Sequence, residues 1–379
     1  MTIIDWSKYT IEDLSVLRGK KVIVRVDLNL PYTDGKITDR ARLDEIIPYI
    51  KKLSFAGAKI ILISHFGEKG ESIKPVADLL VKTLYDVKFI EGTDIEKIRT
   101  ETDTLALGDI ALLENSRLFN GELDNTPTCA RNFASLGEFF INDAFSVSHR
   151  EHASVVGIAN YLLSYFGPTF IKEVTHLTSA AHPEKPALLI IGGAKISTKL
   201  DIIKHYLNQG VHVFIGGAMV HNILKKRGYE IGRSLYDPNY EMAETFYSHP
   251  LIMTPLDVLL EDGQEVKVDE VPPNGVIVDC GKETLKMLDE EIKKAHTIIV
   301  NGPLGLYEKG FAYGTEHMMT SVANAVSAKT YIGGGDTVEV AEKAHILSKI
   351  GFVSLGGGAM LEYLSNGTLP GIDAVTKRK

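Results

Sequence analysis

The sequence predicts an α/β protein made of two doubly wound parallel-sheet domains. Three observations carry that prediction. Short Val/Ile/Leu-rich runs recur along the whole chain, turns followed by amphipathic stretches separate them, and 379 residues exceed what one hydrophobic core usually serves. Near-continuous apolar runs, in place of apolar–polar alternation, mark strands buried on both faces.

Taken in order, strands are predicted at 21–27 (KVIVRVD), 58–64 (AKIILIS), 109–114 (DIALLE) and 138–143 (EFFIND) in the first half. In the second half they are predicted at 187–193, 211–217, 296–302, 329–335 and 351–358. Asp34–Gly35 predicts a hairpin turn. Helical patterns occupy 75–86, 199–210 and 337–351, the last two closing on glycine. The stretch SAAHPEKP at 179–186 sets two prolines before a new strand and marks a domain boundary. The residues before it, 167–180, predict a helix joining the halves.

Composition narrows the function classes. Hydrophobic residues make up 44% and charged residues 24%, as in an ordinary globular protein. A net charge of −8 argues against non-specific nucleic-acid binding. Cys129 and Cys280 lack metal-like spacing and read as reduced thiols, which suits a cytoplasmic compartment. The first ten residues lack the basic flank and apolar core of a signal peptide, and no apolar run approaches the ~18 residues of a membrane span.

Ligands of open α/β sheets bind beyond the carboxyl ends of the strands, and the two halves differ there. Second-half strands end in glycine clusters at 192–193, 216–217, 333–335 and 356–358, which admit a ligand to backbone N–H groups at a helix start. That suits nucleotide phosphates or a flat base. First-half strand ends carry Asp27, Asn29, His65, Asn115, Arg117, Asn142, Asp143, His149 and Arg150, with no adjacent glycine pair. Guanidinium forks around a small space suit a compact anion. Each feature has a structural competitor: one glycine pair more often means tight packing, Arg25 inside a strand pattern reads equally as an ion-pair partner, and His149 with His152 is too sparse for a metal site. Neither G-x-x-x-x-G-K-[ST] nor a post-strand G-x-G-x-x-G is present. Lys195 and Lys199, four apart in GGAKISTK, are expected on one face of the following helix beside nucleotide phosphates.

At this level of detail a family likeness emerges. RVDLNLP (25–31), SHFG (64–67), SIKPVADLL (72–80), LLENSRLFNGE (112–122) and INDAFSVSHREHAS (141–154) resemble, in order, the motifs of phosphoglycerate kinases. So do IIGGAKISTK (190–199), NGPLGLYE (301–308), FAYGT (311–315), IGGGDT (332–337), GGGAMLEYL (356–364) and LPGIDA (369–374). The resemblance implies two Rossmann-like domains joined by a hinge helix, with the C-terminal segment returning to the first. Residues 1–165 plus 365–379 would bind 3-phosphoglycerate, 166–185 would form the hinge, and 186–364 would bind nucleotide. It implies reversible transfer of the ATP γ-phosphoryl group to the carboxylate of 3-phosphoglycerate, giving ADP and 1,3-bisphosphoglycerate, a glycolytic step with Mg²⁺ as cofactor. A cytoplasmic monomer with no nucleic-acid or membrane partner is implied as well.

Carried over motif by motif, the resemblance gives Asp27, Asn29, Arg42, His65, Arg117 and Arg150 to 3-phosphoglycerate. It gives Gly193, Lys195, Lys199, Gly216, Gly217, Asn301, Glu308, Gly334, Gly335, Asp336 and Thr337 to the nucleotide, with Glu308 on the ribose, Gly216 and Gly217 against adenine, and Asp336 also near the metal. Arg42, Lys199 and Gly335 would act in catalysis. Three departures stand out. Glu68 replaces an arginine that usually faces the substrate anion, with Lys69 beside it as the compensating charge, and Leu355 and Met360 replace hydroxyl residues near the phosphate path. Glu68 keeps open a weakly active or non-catalytic nucleotide-binding relative; an oxidoreductase is disfavoured by the missing dinucleotide fingerprint.

Overall fold

The computed structural model describes residues 4–67, 70–84, 87–239 and 241–377. They group into two units, Met1–Thr175 with Asn366–Lys379, and His176–Ser365.

The first unit holds β1 (Lys21–Arg25), a hairpin of β2 (Tyr32–Thr33) and β3 (Lys36–Ile37), then β4 (Lys59–Ile63), β5 (Val87–Ile90), β6 (Ile110–Leu113), β7 (Phe139–Asn142) and β8 (Leu163–Phe166). Six of these form a parallel sheet in the order β5-β6-β4-β1-β7-β8. Asp34 and Gly35 turn the hairpin with φ of +50° and +78°, the pair of positive values that a two-residue turn matched to strand twist requires. One face of the sheet packs Val22, Val24, Ile60 and Leu62 against Leu43, Ile46, Ile50 and Leu53 of the helix Ala41–Phe55. The C-terminal helix Pro370–Thr376 belongs to this unit, with the Gly371 N–H donating to the Ser148 carbonyl at 2.8 Å.

The second unit holds β9 (Ala187–Ile191), β10 (His212–Ile215), β11 (Ile252–Met253), β12 (Asp257–Leu260), β13 (Glu265–Lys267), β14 (Ile277–Cys280), β15 (Thr297–Asn301), β16 (Lys329–Gly333) and β17 (Phe352–Ser354). Its main sheet is parallel, in the order β11-β10-β9-β15-β16-β17. A small antiparallel sheet, β13-β12-β14, is added to it. Central strands such as β9 and β15 are buried at every residue, which is why their sequences read as unbroken apolar runs.

Two helices differ from expectation. The chain from Lys195 to Lys199 is not helical: Ile196–Thr198 makes a single 3₁₀ turn and the α-helix begins at Leu200, with Lys199 as its N-cap. The two lysines therefore do not share a helix face. Ser197 and Thr198 favour such local turns over helix interiors, and the Thr198 hydroxyl donates to the Lys195 carbonyl at 2.9 Å. The helix expected over 337–351 runs from Gly335 to Lys343 and stops on His345, whose φ is +55°. The Ile346 N–H donates to the Ala341 carbonyl and the His345 N–H to the Glu342 carbonyl, a Schellman closure made without glycine.

Each main sheet has a point where the strand order reverses. In the first unit the chain leaves β1 towards β4 on one side and returns to β7 on the other. In the second, β9 is followed outward by β10 and β11, and β15 then opens the opposite side. Crevices at the carboxyl ends of such strands are the natural ligand sites of this architecture.

Candidate active site

In the first unit, the expected residues past β1 meet those past β4, β6 and β7. Asp27 is buried and pairs with the Arg42 guanidinium at 3.0 Å. The Ser146 hydroxyl donates to the same carboxylate oxygen, while the Asn29 N–H donates to the other at 3.0 Å. Burial alone would raise Asp27, but Arg42, His65 and these hydrogen bonds hold it below the usual carboxylate range. Arg42 also donates to the Asn29 carbonyl at 3.0 Å, and the Asn29 amide oxygen accepts from the Gly67 N–H at 2.8 Å. Arg117 donates to the Gly67 carbonyl, so one loop end gathers Asn29, Arg42 and Arg117.

Arg25 lies deeper and has no exposure to solvent. It donates to Ser154 Oγ at 3.1 Å and meets His65 Nδ1 at 3.4 Å. Ser154 in turn donates to Glu122, which also accepts from the Ser154 N–H at 2.8 Å. This chain of donors ties a buried guanidinium to a buried carboxylate, the arrangement that makes an interior charge tolerable. Because a guanidinium only donates, His65 Nδ1 accepts and the ring carries its proton on Nε2. Burial, then Arg25, push His65 down to about 3, so the ring is neutral at physiological pH.

Arg25, Arg117 and Arg150 all act on His65 and also on His152, which burial and these charges press down to about 4. Arg150 donates to His149 Nε2 at 3.4 Å. All six expected residues thus belong to one neighbourhood, where the guanidiniums of Arg25, Arg42, Arg117 and Arg150 gather with the carboxylates of Asp27, Glu122 and Glu71, the last standing against Gly67. Ser146, Glu122 and Ser154 are not evident from sequence, because acids and hydroxyls of this kind carry no signal until the fold brings them to the arginines. Glu68 and Lys69 lie outside the described residues.

In the second unit the expected residues surround the reversal between β9 and β15. A cavity of about 490 Å³ opens there, with Gly193, Gly217, Glu308 and Asp336 in its wall beside Val258, Leu304 and Leu306. Its mixture of apolar wall and a few polar groups fits a nucleoside. Lys199 stands at the reversal, its ammonium donating to the carbonyls of Gly192 at 2.6 Å and Asn301 at 3.1 Å and to Asn301 Oδ1 at 2.7 Å. All three acceptors are neutral. Burial pulls Lys199 down to about 8 against the opposing pull of Asp336. Lys195 is exposed on the preceding turn.

The three glycines after β16 have three different reasons. A Cβ on Gly333 would fall 2.1 Å from the Met360 sulfur, so Met360 fills the space beneath the turn. Gly334 has a φ of +96° and sits 3.1 Å, measured to its Cβ position, from the Asn301 amide. At Gly335 no described atom lies within 4 Å of the Cβ position. Gly335 alone faces open space, at the first position of the helix Gly335–Lys343 where N–H groups are unsatisfied. Thr337 is fully buried and accepts from the Gly302 N–H at 2.7 Å, and Asn301 donates to the Gly333 carbonyl at 2.9 Å. These two residues brace the turn. Gly216 lies under the cavity wall, where a Cβ would meet Leu304 at 2.7 Å.

Among the described residues no cluster of three or more His, Cys, Asp or Glu side chains could hold a metal alone. Mg²⁺ in phosphoryl-transfer sites is commonly held by one or two carboxylates plus substrate phosphates. Asp336, exposed in the cavity wall at the helix start, fits that mode.

Comparison with known proteins addresses the family to which the chain belongs. The family model "Phosphoglycerate kinase" matches residues 11–367. The phosphoglycerate kinase of Thermosipho africanus is 38% identical over 98% of both chains, and that of Staphylococcus haemolyticus 37% identical over 98% of this chain and 100% of its own. Among solved structures, the phosphoglycerate kinase of Coxiella burnetii superposes with a TM-score of 0.84 at 33% identity, covering 96% of this chain and 97% of its own. That of Pyrococcus horikoshii reaches the same TM-score at 28% identity. The chain belongs to the phosphoglycerate kinase family.

Proposed function

We propose that this chain catalyses reversible phosphoryl transfer between ATP and the carboxylate of 3-phosphoglycerate with its two ligands on different units. The basic cluster of the first unit takes 3-phosphoglycerate, and the glycine-lined cavity of the second takes the nucleotide. The observation that carries this reading is the contrast between the two reversals: four guanidiniums gathered at one, an ammonium held by neutral oxygens beside a helix N-terminus at the other.

The acceptor is a carboxylate, already ionised at neutral pH, so no general base is required. Catalysis then reduces to alignment and to charge placed where the moving phosphoryl group needs it. Arg42 and Lys199 would supply positive charge, and the Gly335 N–H a directed donor. Magnesium, when bound, neutralises and orients the phosphate oxygens; Asp336 would hold it. An acyl phosphate is labile and water is a rival acceptor, so transfer demands that the two ligands meet in a dry space. Residues 166–185, which include the whole helix Pro168–Ala181, are the proposed hinge. Among the described residues no helix is long and apolar enough to cross a membrane; we assign the chain to the cytoplasm, as a monomer.

Separate titrations test the division. Arg117→Ala and Arg150→Ala should weaken 3-phosphoglycerate binding by at least tenfold and leave ADP binding within about twofold, since truncating one partner of a charged hydrogen bond removes roughly 1.5–3 kcal/mol. Loss of ADP affinity in these variants, with 3-phosphoglycerate unaffected, would reverse the assignment.

A further inference from the structure

The 3₁₀ turn Tyr307–Lys309 follows β15 and brings a phenol to the edge of the nucleotide cavity. Tyr307 Oη donates to Asp336 Oδ1 at 3.1 Å. Both residues are in the cavity wall, together with Glu308. Asp336 is exposed in the first turn of its helix, and no side chain caps that helix. A carboxylate so placed is free to rotate about two side-chain bonds unless something holds it. The phenol holds one of its two oxygens. An ordinary phenol is protonated throughout the neutral range, so Tyr307 is the donor in this bond.

We propose that Tyr307 is a positioning residue: its hydroxyl fixes the Asp336 carboxylate so that the second oxygen meets a divalent cation carried on the nucleotide phosphates, setting how much the cation strengthens nucleotide binding. This rests on the reading that Asp336 faces that cation. Groups that orient a metal-binding carboxylate typically contribute about 10–100-fold to metal affinity; with the phosphates supplying most of the ligation here, about three- to tenfold is expected.

The test is calorimetric titration of the full chain with ADP in EDTA and with ADP in excess Mg²⁺, for the wild type, Tyr307→Phe and Asp336→Asn. Thermal midpoints without ligand verify that each variant is folded, and Phe keeps the ring of a half-buried side chain. In Tyr307→Phe, ADP alone should bind within twofold of wild type while Mg-ADP binds about three- to tenfold more weakly. The electron paramagnetic resonance spectrum of bound Mn²⁺-ADP should broaden as the ligand set loosens. Equal weakening of ADP and Mg-ADP would make Tyr307 merely part of the cavity wall and overturn the proposal, as would no change in either. If Asp336→Asn keeps the full magnesium-dependent gain, the assignment of Asp336 itself is wrong. If Asp336→Asn loses that gain while Tyr307→Phe does not, the assignment stands and only the role of Tyr307 falls.

Discussion

Gly335→Ala separates a glycine kept for the ligand from one kept for the fold. The added methyl would meet no described atom within 4 Å, and Gly335 is not among the positive-φ residues. It occupies the first position of the helix Gly335–Lys343, where alanine is the better helix former by at most about 1 kcal/mol. For a unit of this size that shifts the melting point upward by roughly 1–3 °C. The same methyl projects into the space where a phosphate would approach the unsatisfied N–H groups. Displacing one charge-assisted hydrogen bond costs about 1.5–3 kcal/mol, or roughly 10–150-fold in affinity. The paired assay is thermal unfolding without ligand and calorimetric titration with Mg-ADP. The variant should be as stable as wild type or slightly more so, yet bind the nucleotide at least tenfold more weakly. Unchanged Mg-ADP affinity in a fully folded Gly335→Ala protein would refute the idea that phosphate approaches this turn. Gly334→Ala is the contrasting control: at φ +96° and 3.1 Å from the Asn301 amide it should lose stability before ligand is added.

Three further outcomes are expected. Lys199 sits near 8 in the free protein, so Mg-ATP affinity should fall as pH rises through 8, approaching tenfold per unit, and Lys199→Arg should abolish the inflection because a guanidinium stays charged; an inflection that survives in the arginine variant assigns it to another group. Burial raises Asp143 to about 7 from 3.8, so the folded state holds more protons than the unfolded one between those values and stability falls as pH climbs from about 4 to 7. Relative to wild type, Asp143→Asn should therefore gain about 1–3 kcal/mol between pH 4 and pH 8 in urea unfolding, whatever its absolute stability; a gap that does not move with pH contradicts the reading. Glu68→Arg should lower the KM for 3-phosphoglycerate, because it restores the cation that the family usually places there. A Glu68 facing the anion at ~6 Å would make the reversal worth about 5–6 kcal/mol at an effective dielectric of ~20 before screening and rearrangement, whereas a Glu68 turned to solvent, with Lys69 supplying the charge, makes it worth far less; a higher KM would refute the idea.

What the sequence makes legible follows the burial of each element. β1, β4, β6, β7, β9, β10, β15, β16 and β17 are evident because nearly all of their residues are buried, leaving unbroken apolar runs. β5 and β8 escape notice: they are edge strands with burial on part of each, and Lys88 and Ser164 interrupt their apolar character. β12 to β14 are missed for a related reason, since their antiparallel sheet carries Asp257, Glu265 and Lys267 within its strands. The candidate site divides in the same way. Arginines and glycine clusters after strands are visible as residue types. The reasons for Gly333 and Gly334 are not, because they depend on Met360 and Asn301, residues distant in the chain. The buried route from Arg25 through Ser154 to Glu122 likewise exists only once β1 is folded beside the turns that follow β6 and β7.

The most direct measurement is a crystal structure of the chain with both Mg-ADP and 3-phosphoglycerate bound. The account predicts nucleotide phosphates against Gly335 and Lys199, and 3-phosphoglycerate against Arg42, Arg117 and Arg150. Both ligands in one unit, or an acid phosphate that touches none of those three arginines, would contradict it.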